Sequence, residues 1–473
     1  MSRPPVLYED LSILESPEDV LSTLRRDGSR RWLYPVPAEG RWLRRRRAVG
    51  WALIALFVAL PIVRIGGKPA VLLDLAAREF TFFGFTFYPT DTLLLLLFLL
   101  SVLVAFFLLT ALWGRVWCGW GCPQTVYLEF VYRPIERLIE GPEHVRQRRD
   151  AGPRSWDRTR RRMLKLAAFT LVSLALAHVF VSYFAGWDRL LVWMTGPPTE
   201  HWGYFLLMAG TTALVLYDFG YFREQMCTIA CPYARFQSVL TDPDSLIVSY
   251  DPGRGEPRGR GKQRQGLGDC VDCLACVRTC PTGIDIRDGL QMECIACTQC
   301  IDACDAIMDR VGRPRGLIRY TSERELAGGR SRWLRPRTAL YAGLLLALTT
   351  AFAVAATTRH AYDINVGRTA GAPFVEMPDG SIANRLRFRV RNQTANATAF
   401  TVLAEAPAGV EVRLVGVPPV TLAPREMRRV EAFVLVPRAL FAGQDEVEAQ
   451  FVLRFADGAE ERVVFPLLGP AAR

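Results

Sequence analysis

The segment Thr92–Trp113, TLLLLLFLLSVLVAFFLLTALW, carries no charged side chain from end to end. As a helix it matches the roughly 30 Å hydrocarbon core of a bilayer, which takes about 20 apolar residues to cross. Four further apolar blocks are read the same way: Ala48–Ile65, Leu166–Ala185, Tyr204–Phe219 and Thr338–Thr357. The first and fourth are shorter and interrupted by Pro61 and Gly210. The expected fold class is therefore a membrane α-helical bundle of five transmembrane helices.

The formal charge of +11 invites a nucleic-acid reading, but its placement argues against one. Lys and Arg number ten in residues 1–47, two in 66–91, twelve in 114–165, one in 186–203 and eighteen in 220–337. Basic-rich and basic-poor segments alternate, which is the positive-inside pattern of a polytopic membrane protein. A nucleic-acid binder concentrates its basic residues on one face or domain. The N-terminus and the basic segments are expected in the cytoplasm, and five crossings put the C-terminus outside. Residues 1–47 are polar and Arg-rich, so the first block is expected to be a retained anchor and not a cleaved signal.

All twelve cysteines fall in two of the basic segments. Thiols on the reducing side stay available as metal ligands, whereas outside they would tend to pair as disulfides. Cys270, Cys273, Cys276 and Cys280 have the spacing C-x2-C-x2-C-x3-C, and Cys294, Cys297, Cys300 and Cys304 repeat it. Each tight loop offers three thiolates to one iron–sulfur cubane, and its fourth cysteine ligates the other cluster. The expected sets are Cys270, Cys273, Cys276 and Cys304 for one [4Fe–4S] cluster, and Cys280, Cys294, Cys297 and Cys300 for the second. Zinc, the competing reading, needs only four ligands per ion and gains nothing from a third cysteine in each run.

A second pattern is C-x3-C-P, at Cys118, Cys122 and Pro123 and again at Cys227, Cys231 and Pro232. Another proline follows each by the same interval, at Pro134 and Pro243. Blocks one–two and three–four thus read as a repeated two-helix unit, with both pairs at one membrane edge. Soft sulfur ligands suit Cu(I), zinc or an iron–sulfur cluster, and a redox-active dithiol or plain helix packing also fits. A copper or redox site is the expectation. His178 lies within the third block, where packing, a quinone contact and a metal contact are all open. His144, His201 and His360 sit in loops and give no signal.

The domain reading is a cytoplasmic N-terminal segment 1–47, a transmembrane region 48–250, a flexible Gly/Arg/Pro-rich linker 251–269, a two-cluster ferredoxin domain 270–325, a fifth helix 338–357 and a final domain 358–473. In the last, alternating runs such as RLRFRVRN (385–392), EVRLVGV (411–417), RRVEAFVLV (428–436) and EAQFVLRF (448–455) predict an immunoglobulin-like β-sandwich without a disulfide.

GRVWCGWGCPQTV, FREQMCTIACPYARFQS, LIVSYDPGRGEPRG, CPTGIDIRDGLQMECIACTQCIDACD and GRPRGLIRY closely resemble the cytochrome c oxidase accessory protein family known as CcoG, RdxA or FixG. The resemblance covers nearly all of the chain beyond roughly the first 30 residues. It implies a multi-pass bacterial inner-membrane polyferredoxin with two cytoplasmic [4Fe–4S] clusters and a periplasmic immunoglobulin-like domain. It further implies reduction of Cu(II) to Cu(I), so that copper can be delivered during assembly of a cbb-type haem–copper oxidase. The implied partners are a cytosolic electron donor, a copper chaperone or transporter, oxidase subunits or assembly factors, and a second copy in a homodimer. Two alternatives stand beside it: a quinol-linked electron-transfer subunit for a periplasmic reductase, and a non-enzymatic assembly scaffold.

Overall fold

The computed structural model describes residues 22–24, 29–77, 79–87, 91–153, 155–261, 265–358, 361–394, 396–424 and 426–470. His360 and residues 1–21 lie outside them. The chain divides into two units, Met1–Ala353 and Val354–Arg473.

The first unit is built on six principal helices: α1 (Arg41–Ala59), α2 (Thr92–Trp113), α3 (Trp156–Ala185), α4 (Trp202–Tyr217), α5 (Gln299–Arg310) and α6 (Pro336–Thr357). A π turn, Asp218–Phe222, continues α4. Among the described residues four segments are long and apolar enough to cross a membrane: Thr92–Trp113, Trp156–Ala185, Pro198–Phe222 and Pro336–Thr357. The first expected block differs. Its helix starts upstream, within RWLRRRR, and stops at Ala59, just before Pro61, while Arg64–Ile65 form a two-stranded hairpin with Lys68–Pro69. Proline has no N–H to continue a helix and clashes with the preceding turn. The apolar part, Ala48–Ala59, thus spans only about 18 Å of helix.

The helices meet around Tyr132, which is fully buried in a π turn, Leu128–Tyr132. Its ring stacks on Phe219 at 4.4 Å and meets Phe169 of α3 edge-on at 4.9 Å. Its hydroxyl is 2.9 Å from Ser173 Oγ, so the polar tip of this buried aromatic has a partner.

The double cysteine run folds against a two-stranded antiparallel sheet, Ile247–Tyr250 with Ile318–Thr321. Helix α5 carries both Cys300 and Cys304, four residues apart and therefore on one face. The segment before the first cysteine is not a free tether in its described parts. Asp251 caps the Arg254 N–H, Arg254 pairs with Asp269 at 2.8 Å, and the Gly268 N–H donates to Pro257 O.

Residues 29–47 also lie against this domain. The Val36 N–H donates to Arg278 O and the Ala38 N–H to Gln299 Oε1. At the start of α1 the Trp42 and Leu43 N–H groups donate to Asp302 Oδ1 and Oδ2, at 3.2 and 2.7 Å. The first N–H groups of a helix have no partner within it, and here a carboxylate from α5 supplies one, with charge complementary to the helix dipole. The approach is close: a Cβ on Gly40 would fall 2.2 Å from Asp302 Cγ.

The second unit is a sandwich of two antiparallel sheets. One orders Glu411–Leu414, Met427–Val436, Ile382–Asn392 and Tyr362–Arg368, with Val375–Glu376 added to Ile382–Asn392. The other orders Val420–Leu422, Thr398–Ala406, Glu446–Phe455 and Glu460–Leu468. Alternate residues point inward as the two-residue period of a strand requires: Leu386, Phe388 and Val390 from one sheet, Phe451 and Leu453 from the other. Phe388 and Phe451 meet edge-on across the core at 5.5 Å. Truncating Phe388 to alanine is expected to cost about 3–5 kcal/mol, read as a lower denaturation midpoint of this domain.

Candidate metal centres

Two small cavities lie within the cysteine-rich domain. The first, about 350 Å³, is lined by Cys270, Cys273, Cys276 and Cys304, with Ile307, Met308, Leu317 and Ile318 as apolar wall. The second, about 340 Å³, is lined by Cys280, Cys294, Cys297 and Cys300, with Val248, Ile284 and Ile286; Cys276 touches both. The fourth cysteine of each run therefore stands in the other run's cavity.

The backbone repeats with the cysteines. Asp272 and Leu274 flank Cys273 with φ of 51° and 60°, and Ala296 and Thr298 flank Cys297 with 53° and 63°. Non-glycine residues avoid this left-handed region unless the surroundings impose it. Four of them at matching positions curl each loop around its cavity. Burial pushes the Cys276 and Cys304 thiols up to about 12 and Cys294 up to about 11. Such thiols stay protonated until a metal displaces the proton, so loading releases protons and is favoured as pH rises. Among the described residues no three His, Cys, Asp or Glu side chains converge tightly enough for a single metal ion. Four thiols spread around an apolar hollow instead suit a polynuclear cluster.

The two C-x3-C-P motifs share several backbone landmarks, although Val116–Trp120 is α-helical and Met226–Ala230 a π turn. Cys122 and Cys231 are both extended (φ −66° and −70°), and Pro123 and Pro232 each open a new helix. Proline is favoured at that first helical position because its missing N–H has no helical acceptor. Upstream, Gly114 and Arg223 match as well, with φ/ψ of 53°/−121° and 51°/−120°. The pairs face one another: Cys118 Sγ is 3.3 Å from Gln237 Oε1 in the second motif, and Gln124 Nε2 of the first donates to Asp218 Oδ1 and Arg223 O. Burial pushes the Cys118 thiol up to about 12, and Cys122 and Cys231 add to the shift through their charge. Cys227 is raised too, by burial and then by Cys122, Cys118 and Cys231. The four cysteines thus form one electrostatic group.

This group abuts the second cavity. A Cβ on Gly119, between Cys118 and Cys122, would fall 2.5 Å from Ile295 O and 2.9 Å from Ala296 O. Arg46 of α1, fully buried, donates from Nε to Gly119 O at 2.6 Å and reaches Cys297 O at 3.5 Å. Arg115 bridges Cys294 O and Ala234 O, and Trp120 Nε1 donates to the Tyr320 hydroxyl at 3.0 Å. His178 is held elsewhere: its Nδ1 lies 2.7 Å from Leu174 O in its own helix.

A buried ion network braces the motifs. Arg223 grips Glu136 through both terminal nitrogens at 3.1 and 2.9 Å, with Arg146 at 3.1 Å and Lys165 at 3.4 Å. Glu224 pairs with Arg30 at 2.7 Å and Arg133 at 3.4 Å, and Arg133 also reaches Pro281 O. Burial alone would push the Glu136 carboxyl up, but Arg223, Arg146 and Lys165 outweigh it and hold it well below the usual carboxylate range. A depressed folded-state value means stability that is complete above the unfolded pKa and lost as pH falls through the folded one. Glu136→Gln is expected to lose about 3–5 kcal/mol at neutral pH, since it strands buried cations. Its thermal midpoint should also fall less than wild type's on acidification.

Arg46, Arg115, Asp302 and the Glu136 network are invisible to spacing, because each partner is remote in the chain. The only local hint is the run of arginines around Arg46.

Residues 222–323 match the family profile described as "4Fe-4S dicluster domain", and residues 95–142, which hold Cys118 and Cys122, match a "4Fe-4S binding domain". Residues 352–466 match "IG-like fold at C-terminal of FixG, putative oxidoreductase". The chain is 33% identical to nitrogen fixation protein FixG of Rhizobium meliloti, over 94% of each chain. It is 37% identical to protein RdxA of Cereibacter sphaeroides, over 78% of this chain and 82% of that one. With protein RdxB of the same organism it shares 34%, over 92% and 94%. Cysteine cavities, matched loops and full-length similarity converge: the chain belongs to the FixG/RdxA family of 4Fe–4S electron-transfer proteins.

Proposed function

We propose that this protein is a membrane cupric reductase serving assembly of a cbb-type cytochrome oxidase. Cys270, Cys273, Cys276 and Cys304 hold one [4Fe–4S] cluster, and Cys280, Cys294, Cys297 and Cys300 the other. When bound, such clusters supply one-electron transfer at potentials low enough for Cu(II). A pair of thiols among Cys118, Cys122, Cys227 and Cys231 takes up the substrate copper, and sulfur favours the Cu(I) product. Cys273 is exposed, with Leu274 beside it, and offers a soluble cytosolic donor a point of approach. The sandwich domain serves contact with oxidase subunits or assembly factors.

The observation that carries this reading is the joint wall between Gly119 and the Ile295–Ala296 loop, with Arg46 across it. The same contact bears on topology. Arg46 precedes the apolar part of α1, Gly119 follows α2 and Cys297 follows α4, yet all three touch. That proximity supports a round trip by each intervening helix pair, with α1 as the short partner of α2 and its N-terminal arginines reaching toward the interface. Five crossings, with the clusters in the cytoplasm and the sandwich domain outside, agree with the positive-inside distribution of Lys and Arg.

The test is Cu(II) reduction by anaerobically purified, reduced protein, followed with a Cu(I)-specific chelator. Cys294→Ser and Cys270→Ser should abolish it; undiminished rates in both would sink the proposal.

A further inference from the structure

A third hollow, of about 600 Å³, lies beside the second cysteine cavity, and the function above gives it no occupant. Its walls are Leu246, Ile247, Val248, Leu290, Met292 and Ala296, with Arg115, Thr241, Gln291 and Cys294 as its polar groups. An apolar lining with a few polar groups is the usual composition of a small-molecule site. Cys294 and Val248 line both this hollow and the second cysteine cavity.

Its floor is fastened to the end of α2. The Leu246 N–H donates to Leu112 O at 3.1 Å, and a Cβ on Gly114 would fall 2.5 Å from Leu246 O. The hollow is thus level with the terminus of the most continuous apolar helix. Leu290 and Met292, both about half exposed, stand at its wall as an apolar entrance. Arg115 has five N–H donors in all. Two of its nitrogens reach Cys294 O and Ala234 O, at 3.4 and 3.0 Å, which uses fewer than all of its donors.

We infer that this hollow binds a lipophilic quinone-class carrier, its ring against Cys294 and Val248 and a ring carbonyl toward Arg115. Two features select that class over a structural lipid. Its polar end is a donor suited to a carbonyl, and one wall is a thiol assigned to a cluster. The inference rests on the cluster assignment of Cys294 but is independent of copper.

The experiment is equilibrium dialysis of decyl-benzoquinone against the oxidised, full-length protein in detergent, with cluster content checked first by visible absorption. One saturable equivalent is expected. Leu290→Trp and, separately, Met292→Trp should weaken it by about tenfold while leaving the cluster absorption intact. Excess phospholipid should not displace it. No saturable binding, unchanged affinity in both variants, or displacement by phospholipid would overturn the inference. Cupric reduction that survives such a result would leave the proposed function standing.

Discussion

Changing Cys304 to serine is expected to empty the first cysteine cavity and spare the second, although Cys304 belongs to the second run. Iron per chain should fall from about eight to about four, as for loss of one of two [4Fe–4S] clusters. Cys280→Ser should do the mirror image. The crossed arrangement follows from which thiols line which cavity. It is separable from an uncrossed one by double variants, because changes within one unit are not additive. Cys273→Ser with Cys304→Ser should lose no more iron than either alone, whereas Cys294→Ser with Cys304→Ser should lose all of it. The opposite pattern would mean that each run holds its own cluster.

Gly119→Val is the second large effect. Its side chain would be driven into the Ile295 and Ala296 carbonyls, which are backbone and cannot rotate away. Overpacking of this kind costs about 1–3 kcal/mol. The greater loss is expected in Cu(II) reduction, since a displacement of about 1 Å at a reacting site can cost about 100-fold. Iron content and visible absorption should stay near wild type. A variant with full iron and an undiminished reduction rate would show that the C-x3-C turn and the second cluster loop need not touch.

Much of this architecture was legible in the residues. The cysteine spacing predicts two loops and their crossed fourth ligands, and the cavities collect those thiols. Alternation in RLRFRVRN and EAQFVLRF predicts strands, and Ile382–Asn392 and Glu446–Phe455 are strands with alternate residues buried. These signals are local, repeating every two to four residues. The rest depends on partners far apart in the chain. Arg46 looks like one more arginine in a basic run, yet it is buried between Gly119 and Cys297. Arg223 takes a left-handed conformation in the place where its repeat counterpart is Gly114, and both terminal nitrogens of its guanidinium are held by Glu136. The stretch 251–269 reads as a linker from its Gly, Arg and Pro content, but composition does not reveal that Arg254 would meet Asp269. Likewise the apolarity of 48–65 conceals the stop before Pro61.

The Asp302 carboxylate that closes the start of α1 rides on α5, between Cys300 and Cys304. The helix that carries two of the cysteines and the first apolar helix are therefore joined through one side chain. Loss of that carboxylate would leave the first amides of α1 without their anion and loosen residues 36–43 from the cysteine-rich domain.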